Sequence, residues 1–453
     1  MDKNTITKFK FFKSFKEGDP ITKLSYVFMG AGSFLRKQYI KGFLFLGAQI
    51  AYIYYFIAIG ITQLSGVLTL GTQEQGQVFD EALGIFVYTQ GDNSMLFLLF
   101  GVFAVLLLIG WILLYRISVK SAVNNQALVN QNKPLPSFKQ ELKSLLNERY
   151  HFTILSIPTI LTFTFTILPL IFMILIAFTN FDKNHQPPGS LFSWVGLANF
   201  KAILFANPII STTFFGLLKW TFVWAIFATF LNYILGMMLA MLINKKGLRF
   251  KGFWRTMFVI SIAVPQFVSL LLMAQLLHDA GPVNVLLQNM KWIAEPIKFL
   301  TNGKIAKITV IVVNLWVGVP YTMLITSGIL MNIPKDMYES AKIDGAGPVV
   351  QFFKITLPYM LSVTTPYLIT QFIGNINNFN LIYLLTGGGP LSLNYFQAGE
   401  TDLLVTWLYK LTLTEKNYAL ASTVGIIIFV ISATLSLVVF RNVTGDGKEG
   451  EFQ

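Results

Sequence analysis

Four asparagines lie close together at the end of one long apolar segment, and their amide groups could bind a polar ligand. They are Asn375, Asn377, Asn378 and Asn380. An amide offers two hydrogen-bond donors and two acceptor sites without net charge, which suits a neutral, hydroxyl-rich ligand. Because an amide in hydrocarbon is costly unless it finds partners, the pattern predicts a wet cavity, with hydrogen bonding between helices as the alternative.

Two neighbouring apolar segments contribute aromatic and helix-weakening residues. Tyr321 and Trp316 offer flat faces with a polar edge, which complement a pyranose ring. Packing within a core or an interface is the alternative for both, and it is favoured for Trp316. Pro265, Pro320 and Gly318 are expected to interrupt helical hydrogen bonding in mid-segment. Such irregularity is tolerated where helices line a cavity.

The composition indicates that lipid surrounds these segments. Of 453 residues, 54% are hydrophobic and only 12% are charged, against roughly 25% charged in ordinary globular proteins. The formal net charge of +13 is concentrated in a few connecting segments, which fits membrane topology better than a nucleic-acid partner. The absence of cysteine excludes disulfides and thiolate sites, and three scattered histidines argue against a histidine metal cluster.

The length of the apolar runs predicts an all-α polytopic membrane protein, because a spanning helix needs about 20 apolar residues. Eight candidate spans are present, two in the amino-terminal part and six that form a core. They cover residues 39–64, 95–115, 152–179, 214–243, 256–277, 305–331, 355–377 and 419–440.

The distribution of lysine and arginine predicts the orientation of these spans. Connecting segments on the side of the amino terminus carry 24 of them, and segments on the opposite side carry 7. Short cytoplasmic loops hold the excess of positive charge, so both termini are expected in the cytoplasm. The predicted regions are a basic amino terminus (1–38), two spans (39–115), a cytoplasmic linker (116–150), a core (151–441) and a tail (442–453).

Charged residues are almost absent from the predicted spans. Lys41, Lys219 and Lys307 are the exceptions, and we expect each to reach the membrane interface from a position near a helix end. A carrier driven by an ion gradient usually buries a carboxylate or a histidine near the membrane midplane, and no predicted span contains one. A secondary, ion-coupled carrier is therefore the alternative interpretation, and the energy for transport is expected to come from another protein.

The predicted cytoplasmic segment 333–358 has the residues of a helix–turn–helix bracket. Pro334 suits the first position of a helix, and Glu339 favours its amino end. Gly345 suits the left-handed conformation that ends a helix, and Pro348 can begin the next one. Small residues in the first helix would let another protein approach its backbone; an amphipathic helix on the membrane surface is the alternative.

This segment resembles the EAA loop of ABC importer permeases. The family pattern is E-A-A, three residues, G, nine residues and I-x-L-P, and ESAKIDGAGPVVQFFKITLP matches it with one Ser-for-Ala exchange. The resemblance implies a coupling helix that docks in a groove of a separate ATPase subunit. The implied coupling residues are Glu339, Ser340, Ala341, Asp344, Gly345, Ala346, Leu357 and Pro358. The chain lacks a phosphate-binding G-x-x-x-x-G-K-[ST] sequence, so hydrolysis is expected on another chain.

Three further stretches resemble the carbohydrate branch of these permeases, and more closely its MalF-type maltose and maltodextrin members. They are FVISIAVPQFVSLL (258–271), NLWVGVPYTML (314–324) and NINNFNLIYLLTGGGP (375–390). Carried over by position, the implied sugar-binding residues are Ile262, Gln266, Val317, Gly318, Tyr321, Asn375 and Asn378. Ile262 and Gln266 stand where related maltose permeases can carry Tyr and Ser.

The resemblance implies a pathway-forming permease subunit, and not an enzyme, in an ABC importer of maltose- or maltodextrin-type oligosaccharides. Its implied partners are a second homologous permease, a pair of ATP-binding subunits that hold ATP and Mg²⁺, and an extracytoplasmic sugar-binding protein. No cofactor or metal is expected on this chain, and the implied location is the bacterial cytoplasmic membrane. A membrane-embedded enzyme is a weaker alternative, because its loose candidates, Asp80, Glu81 and Asp92, are interpreted as solvated loop charges.

Overall fold

The computed structural model describes residues 11–245 and 247–445. The chain forms two compact units, Met1–Val195 and Gly196–Gln453. Both units are built from helices, and the described residues contain one sheet, of two short strands. The prediction of an all-α polytopic membrane protein is confirmed by the number of long apolar helices, which is given below.

The amino-terminal unit begins with three short helices and continues with long ones. Its elements are α1 (Phe11–Lys16), α2 (Pro20–Leu24), α3 (Ala31–Leu35), α4 (Tyr39–Tyr55), α5 (Ile61–Thr69), β1 (Gly76–Asp80), β2 (Ile85–Thr89), α6 (Ser94–Asn130), α7 (Phe138–Leu146), α8 (Tyr150–Thr162) and α9 (Leu168–Ile176). Single π-helical turns, Phe56–Gly60 and Phe163–Ile167, join α4 to α5 and α8 to α9.

The carboxy-terminal unit holds the remaining helices. They are α10 (Ala198–Lys201), α11 (Pro208–Ile226), α12 (Asn232–Asn244), α13 (Lys251–Ala263), α14 (Gln266–Leu276), α15 (Pro282–Asn289), α16 (Gly303–Leu330), α17 (Lys335–Ile343), α18 (Pro348–Gln351), α19 (Leu357–Ile376), α20 (Phe379–Thr386), α21 (Leu404–Leu413) and α22 (Tyr418–Gly445). The π-helical turn Phe227–Leu231 joins α11 to α12, and Phe352–Thr356 joins α18 to α19.

Six continuous helices among the described residues are long and apolar enough to cross a bilayer. They are Tyr39–Thr69, Ser94–Asn130, Tyr150–Ile176, Pro208–Asn244, Gly303–Leu330 and Tyr418–Arg441. The pair α13 and α14 is a seventh candidate, bent by 90° at the break that contains Pro265. The remaining predicted span is α19, which is long enough at 20 residues but less apolar because Thr, Gln and Asn interrupt its sequence.

The end of α6 and the course of α16 differ from the sequence-based expectation, since neither Gly318 nor Pro320 interrupts α16. Helix α6 continues for 37 residues to Asn130, so much of the predicted linker is helical. Hydropathy detects only the part of a helix that lies in hydrocarbon, and polar residues extend this helix beyond it. The expected interruption of helical structure occurs at Pro265, where α13 ends, but not at Pro320, which lies inside the continuous helix α16.

A β-hairpin between α5 and α6 was not expected from the sequence. Its strands β1 and β2 pair antiparallel. Asp80 accepts hydrogen bonds from two amides of the turn, at 2.9 and 3.2 Å. Asp92 accepts from two amides at the base of the hairpin, at 2.7 and 3.0 Å, and these bonds hold the pKa of Asp92 below its ordinary value. Both carboxylates, interpreted as solvated loop charges, thus also stabilise turns.

The three lysines of the predicted spans have different environments. Lys41 Nζ lies 2.5 Å from Glu141 Oε1, and Lys307 Nζ lies 2.7 Å from Glu400 Oε2. Lys219 is exposed and lies about three turns into α11, because this helix begins six residues before the predicted span. The expectation that Lys219 lies near a helix end is therefore wrong.

Close packing among α11, α12, α16 and α19 forms the core of the carboxy-terminal unit. A Cβ atom at Gly236 of α12 would lie 2.7 Å from Thr322 Cβ of α16, so the glycine permits the close approach of these two helices. Trp224, which is fully buried on α11, donates its Nε1 hydrogen to the Asn375 carbonyl of α19 at 3.0 Å. The four helices are thereby fixed around the polar residues described below.

Asp402, in the loop between α20 and α21, forms a buried ion pair with Lys410 of α21. Asp402 is completely buried, its Oδ2 lies 2.6 Å from Lys410 Nζ, and the same oxygen accepts from the Gly399 amide at 2.7 Å. The second ion pair of this loop, Glu400 with Lys307, is partly exposed. Burial alone would raise the pKa of Glu400, but hydrogen bonds and the nearby lysine charge hold it below its ordinary value.

Candidate coupling helix and polar cavity

The predicted bracket forms a short helix that starts one residue later than expected. Pro334 precedes the helix with φ −57° and ψ 129°, and α17 begins at Lys335. Asp336 lies in its first turn, where a carboxylate stabilises the positive end of the helix dipole. The difference from the expected start is one residue, which is within the usual uncertainty of a helix boundary.

Helix α17 ends in a left-handed turn at Gly345. The φ angle of Gly345 is +77°. Its amide donates to the Lys342 carbonyl at 3.1 Å, and the next amide, from Ala346, donates to the Ala341 carbonyl at 2.8 Å. This is the hydrogen-bond pattern of a Schellman motif, in which glycine is favoured because it adopts positive φ without steric cost. The local sequence therefore determines the direction in which the chain leaves α17.

Hydrogen bonds connect the bracket to the start of α19. The hydroxyl groups of Tyr338 and Thr356 lie 2.9 Å apart, and Gln351 Nε2 donates to the Ala346 carbonyl at 2.9 Å. Ile333 is buried just before α17. Helix α17 is thereby bonded to Thr356, the residue that directly precedes α19.

Four apolar side chains of the bracket are exposed, together with charged residues such as Glu339 and Lys342. The side chains of Met337, Ile343, Val349 and Val350 are 45%, 86%, 68% and 51% exposed, respectively. Of the implied coupling residues, Glu339, Ser340, Asp344, Gly345 and Pro358 are exposed, whereas Ala341, Ala346 and Leu357 are half-buried. Exposed apolar patches of this kind, rimmed by polar residues, are typical of protein interfaces.

A small polar cavity lies among α12, α16 and α19. Its volume is about 50 Å³, and none of its lining residues is charged. The lining residues are Ala228, Thr229, Asn232, Tyr233, Gly318, Tyr321, Thr322, Tyr367, Leu368 and Gln371. Two of the seven residues that the resemblance implies for sugar binding, Gly318 and Tyr321, are among them.

The two implied asparagines form hydrogen bonds within the protein. Asn375 is buried, and its Nδ2 donates to Thr229 Oγ1 at 2.9 Å, which links α19 to the π turn after α11. Asn378 precedes α20 and its Oδ1 accepts from the Leu381 amide at 3.3 Å, as a helix N-cap. The bond from Asn375 is of the kind that the alternative interpretation predicts, hydrogen bonding between helices, whereas the Asn378 bond caps its own helix. Asn375 is not among the lining residues of the cavity, but its partner Thr229 is.

The other three implied residues lie outside the lining of this cavity. Ile262 and Gln266 are exposed on either side of the bend between α13 and α14. Val317 packs against the buried core around Trp220 and Trp224. Trp316 lines a different, apolar groove of about 530 Å³ between α13 and α16, which agrees with the packing or interface role favoured for it.

Sequence reasoning missed six polar residues of the cavity, which are Thr229, Asn232, Tyr233, Thr322, Tyr367 and Gln371. Asn232 is 9% exposed, and its Oδ1 has no hydrogen-bond partner among the described residues. Tyr367 and Gln371 lie one turn apart on α19, and Asn375 follows after another turn. Tyr367, Gln371 and Asn375 form a polar stripe at helical spacing on an otherwise apolar segment, and this pattern indicates a polar helix face. The sequence-based prediction used only its last member, Asn375.

Comparison with protein families matches residues 232–444 to the binding-protein-dependent transport system inner membrane components. The chain is 37% identical to the galactooligosaccharides transport system permease GanP of Bacillus subtilis over 91% of this chain and 94% of that protein. It is 35% identical to the maltodextrin transport system permease MalC of Streptococcus pneumoniae over 91% and 93% of the two chains. The maltose/maltodextrin permease MalF of Escherichia coli is 36% identical, over 57% of this chain and 51% of that protein.

Solved structures agree with the fold. A bacterial ABC transporter chain involved in the import of the acidic polysaccharide alginate superposes with a TM-score of 0.55 and 21% identity, over 68% of this chain and 99% of that one. The ion-coupled carrier and the membrane-embedded enzyme are not favoured by these matches. The chain belongs to the family of ABC importer permeases, the membrane-embedded pathway subunits whose ATPase is a separate chain, and within it to the branch that contains the oligosaccharide permeases.

Proposed function

We propose that the chain forms one half of the pathway by which a neutral oligosaccharide of the maltodextrin type enters a bacterial cell. The observation that carries the proposal is the 35% identity to a maltodextrin permease along 91% of the chain. The uncharged, polar side chains around the cavity in the carboxy-terminal unit support it, because hydroxyl groups need hydrogen-bond partners but no counter-charge. At about 50 Å³ the cavity is smaller than the roughly 300 Å³ at which ligand pockets begin, so these side chains are proposed as part of the pathway wall and not as a closed sugar pocket.

We propose further that a second homologous permease completes the pathway and that two ATPase subunits bind ATP and Mg²⁺ on the cytoplasmic side. An extracytoplasmic sugar-binding protein delivers the ligand, and this chain binds no cofactor. The distribution of lysine and arginine supports cytoplasmic termini and a cytoplasmic position of α17. Reversing a 1:99 preference between inward- and outward-facing states takes about 5.5 kcal/mol of differential binding, and the bracket is the proposed route for that energy.

The proposed sugar contacts centre on α16 and α19. Gly318 and Tyr321 remain from the residues implied by the resemblance, and the cavity adds Asn232, Tyr367 and Gln371. Asn375 and Asn378 are proposed to hold α19 and α20 in position through their hydrogen bonds. For Ile262, Gln266 and Val317, a contact with sugar remains a proposal from the family resemblance.

A second candidate substrate is a galactooligosaccharide, because the relative with 37% identity is named for that class. Reconstituting the complete transporter in lipid vesicles and measuring ATP hydrolysis with a panel of sugars separates the candidates. Maltodextrins should stimulate hydrolysis in the presence of the sugar-binding protein. Stimulation only by galactooligosaccharides would favour the second candidate, and stimulation only by an acidic oligosaccharide, or by none, would contradict the neutral-sugar proposal.

Replacing Tyr321 by alanine should raise the sugar concentration that gives half-maximal transport by up to about tenfold. Loss of one aromatic stacking contact costs about 0.5–1.5 kcal/mol, and 1.4 kcal/mol corresponds to a factor of ten. Uptake of labelled sugar by the reconstituted transporter measures the change.

Trp316→Ala is the matched control. Trp316 lies on the same helix and is 47% exposed, close to the 48% of Tyr321, but it lines the apolar groove instead of the polar cavity. An equal shift in both variants would contradict a specific role of Tyr321 in sugar binding.

A further inference from the structure

A second cavity, in the amino-terminal unit, carries an excess of positive charge. Its volume is about 370 Å³, and it lies where α4 begins. Arg36, Lys37 and Lys41 contribute three cationic groups to its lining, and Glu141 contributes the single carboxylate. The cavity is separate from the polar cavity of the other unit, and neither the family resemblance nor the proposed function assigns it a role.

Hydrogen bonds from three surrounding elements fix the walls of this cavity. Arg36 donates to Asp19 at 2.8 and 2.9 Å and to the Ala122 carbonyl at 3.1 Å. Gln38 Nε2 donates to the Pro136 carbonyl at 2.8 Å, next to the start of α7. The positions of the lining residues are therefore determined by contacts outside the cavity, and the site does not depend on a ligand for its shape.

Lys37 supplies the positive charge that is not neutralised. Arg36 is paired with Asp19, and Lys41 is paired with Glu141. Lys37 is exposed and forms no ion pair with any described residue. The Arg36 side chain is only 6% exposed and is held by Asp19, so a negatively charged ligand would find one free cation, Lys37, and the partly exposed Lys41 beside it.

The backbone at Lys37 has a conformation that normally selects glycine. Its φ angle is +64°, and its amide donates to the Phe34 carbonyl at 3.0 Å. The following amide, from Gln38, donates to the Ser33 carbonyl at 2.9 Å, so that Lys37 occupies the left-handed position of a Schellman motif. A lysine at this position is strained relative to glycine. The fold thus places a cationic side chain here at a cost in stability.

An apolar helix surface begins directly beside the cavity. Tyr39 and Ile40 line the cavity and are 53% and 55% exposed. Phe43, about one turn further along α4, is 62% exposed. Tyrosine is common at the headgroup level of a membrane, and lysine or arginine beside a membrane helix attracts anionic lipid. The ligand that fits both features has a negatively charged head and an apolar tail.

We propose that this cavity binds the phosphate headgroup of an anionic phospholipid, whose acyl chains lie along the exposed apolar surface of α4. Under the orientation proposed above, the lipid belongs to the cytoplasmic leaflet. Lys37 is the main cationic contact, and Lys41 is the second. Free inorganic phosphate shares the headgroup chemistry but would gain nothing from the apolar surface.

The test measures lipid retained by the purified full-length chain in detergent. The protein is incubated with equal amounts of phosphatidylglycerol and phosphatidylcholine that carry the same acyl chains, and the bound lipids are quantified by mass spectrometry. The wild type should retain mainly phosphatidylglycerol. Lys37→Gly should lower its retention about fivefold, the effect of one basic residue near an anionic membrane surface, without lowering the unfolding temperature, because glycine suits the left-handed turn.

Control variants make the result decisive. Lys120→Gln removes an exposed charge from α6 outside the cavity and should leave retention unchanged, whereas Lys41→Gln should lower it without altering the turn at Lys37. Equal retention of both lipids by the wild type, or equal losses in Lys37→Gly and Lys120→Gln, would overturn the proposal. Displacement of phosphatidylglycerol by millimolar inorganic phosphate would identify a free-phosphate site and overturn the assignment to lipid.

Discussion

Replacing Gly345 by valine should abolish ATP-driven uptake while the chain still inserts into the membrane. Gly345 has a φ angle of +77°, and a side chain in the left-handed region costs roughly 1–2 kcal/mol, more for a β-branched residue. The valine would avoid that strain by altering the turn, and the bracket would then present α17 and α18 at a different angle. Uptake by reconstituted vesicles and the amount of protein in the membrane fraction measure the two parts of this expectation.

Gly347→Val provides the matched control for this substitution. Gly347 lies two residues further along, with φ −69° and ψ 167° and with open space where a Cβ atom would be. Any residue adopts that conformation, so transport should persist in this variant. Normal uptake by Gly345→Val, or an equal loss in both variants, would contradict the role assigned to the left-handed turn.

Replacing Lys410 by methionine should lower the free energy of unfolding by about 3–5 kcal/mol, the usual cost of removing one partner from a buried ion pair. Methionine preserves much of the side-chain volume, but it leaves the carboxylate of Asp402, which is completely buried, without its counter-charge. Denaturant titration in detergent, followed by tryptophan fluorescence, measures the change, and Trp407 lies in the same helix.

Two further variants separate charge from packing in this loop. Adding Asp402→Asn to Lys410→Met should restore most of the lost stability, because no buried charge remains unpaired. Lys307→Met removes the lysine of α16 that pairs with Glu400 of the same loop. This pair is about one-third exposed, so the substitution should cost only about 1 kcal/mol. If Lys307→Met and Lys410→Met lowered the free energy of unfolding equally, the result would contradict the expectation that the buried ion pair contributes more to stability than the partly exposed one.

The membrane architecture could be predicted from the sequence because it depends on local composition. A run of about 20 apolar residues has few alternatives to a spanning helix. The bracket was equally predictable, since Gly345 and Pro348 act on the backbone within a few residues of themselves. The β-hairpin was not predicted, although β1 and β2 are rich in aromatic and β-branched residues. Its 14 residues are too few to form an apolar run of the length that indicates a spanning helix.

The candidate cavity was predicted less completely, because its members come from three helices. The sequence indicated that Asn375 needs hydrogen-bond partners, but it could not indicate that Thr229 of a distant segment would be one of them. Gln371 and Tyr367 are isolated polar residues of an otherwise apolar helix, and only the packing of α19 beside α16 brings them into the cavity. The residue types were thus readable from the sequence, whereas their grouping depends on tertiary packing.

The length of α6 has a mechanical consequence for the amino-terminal unit. Its 37 residues extend over about 55 Å at 1.5 Å per residue, whereas the hydrocarbon layer is about 30 Å thick. The helix is therefore longer than the hydrocarbon layer is thick, and its carboxy-terminal part extends past the predicted span. In this part, Ser118 Oγ accepts a hydrogen bond from the Gly30 amide, and the Ala122 carbonyl accepts one from Arg36. Helix α3, which lies between Gly30 and Arg36, is therefore attached to the part of α6 that exceeds the thickness of the hydrocarbon layer.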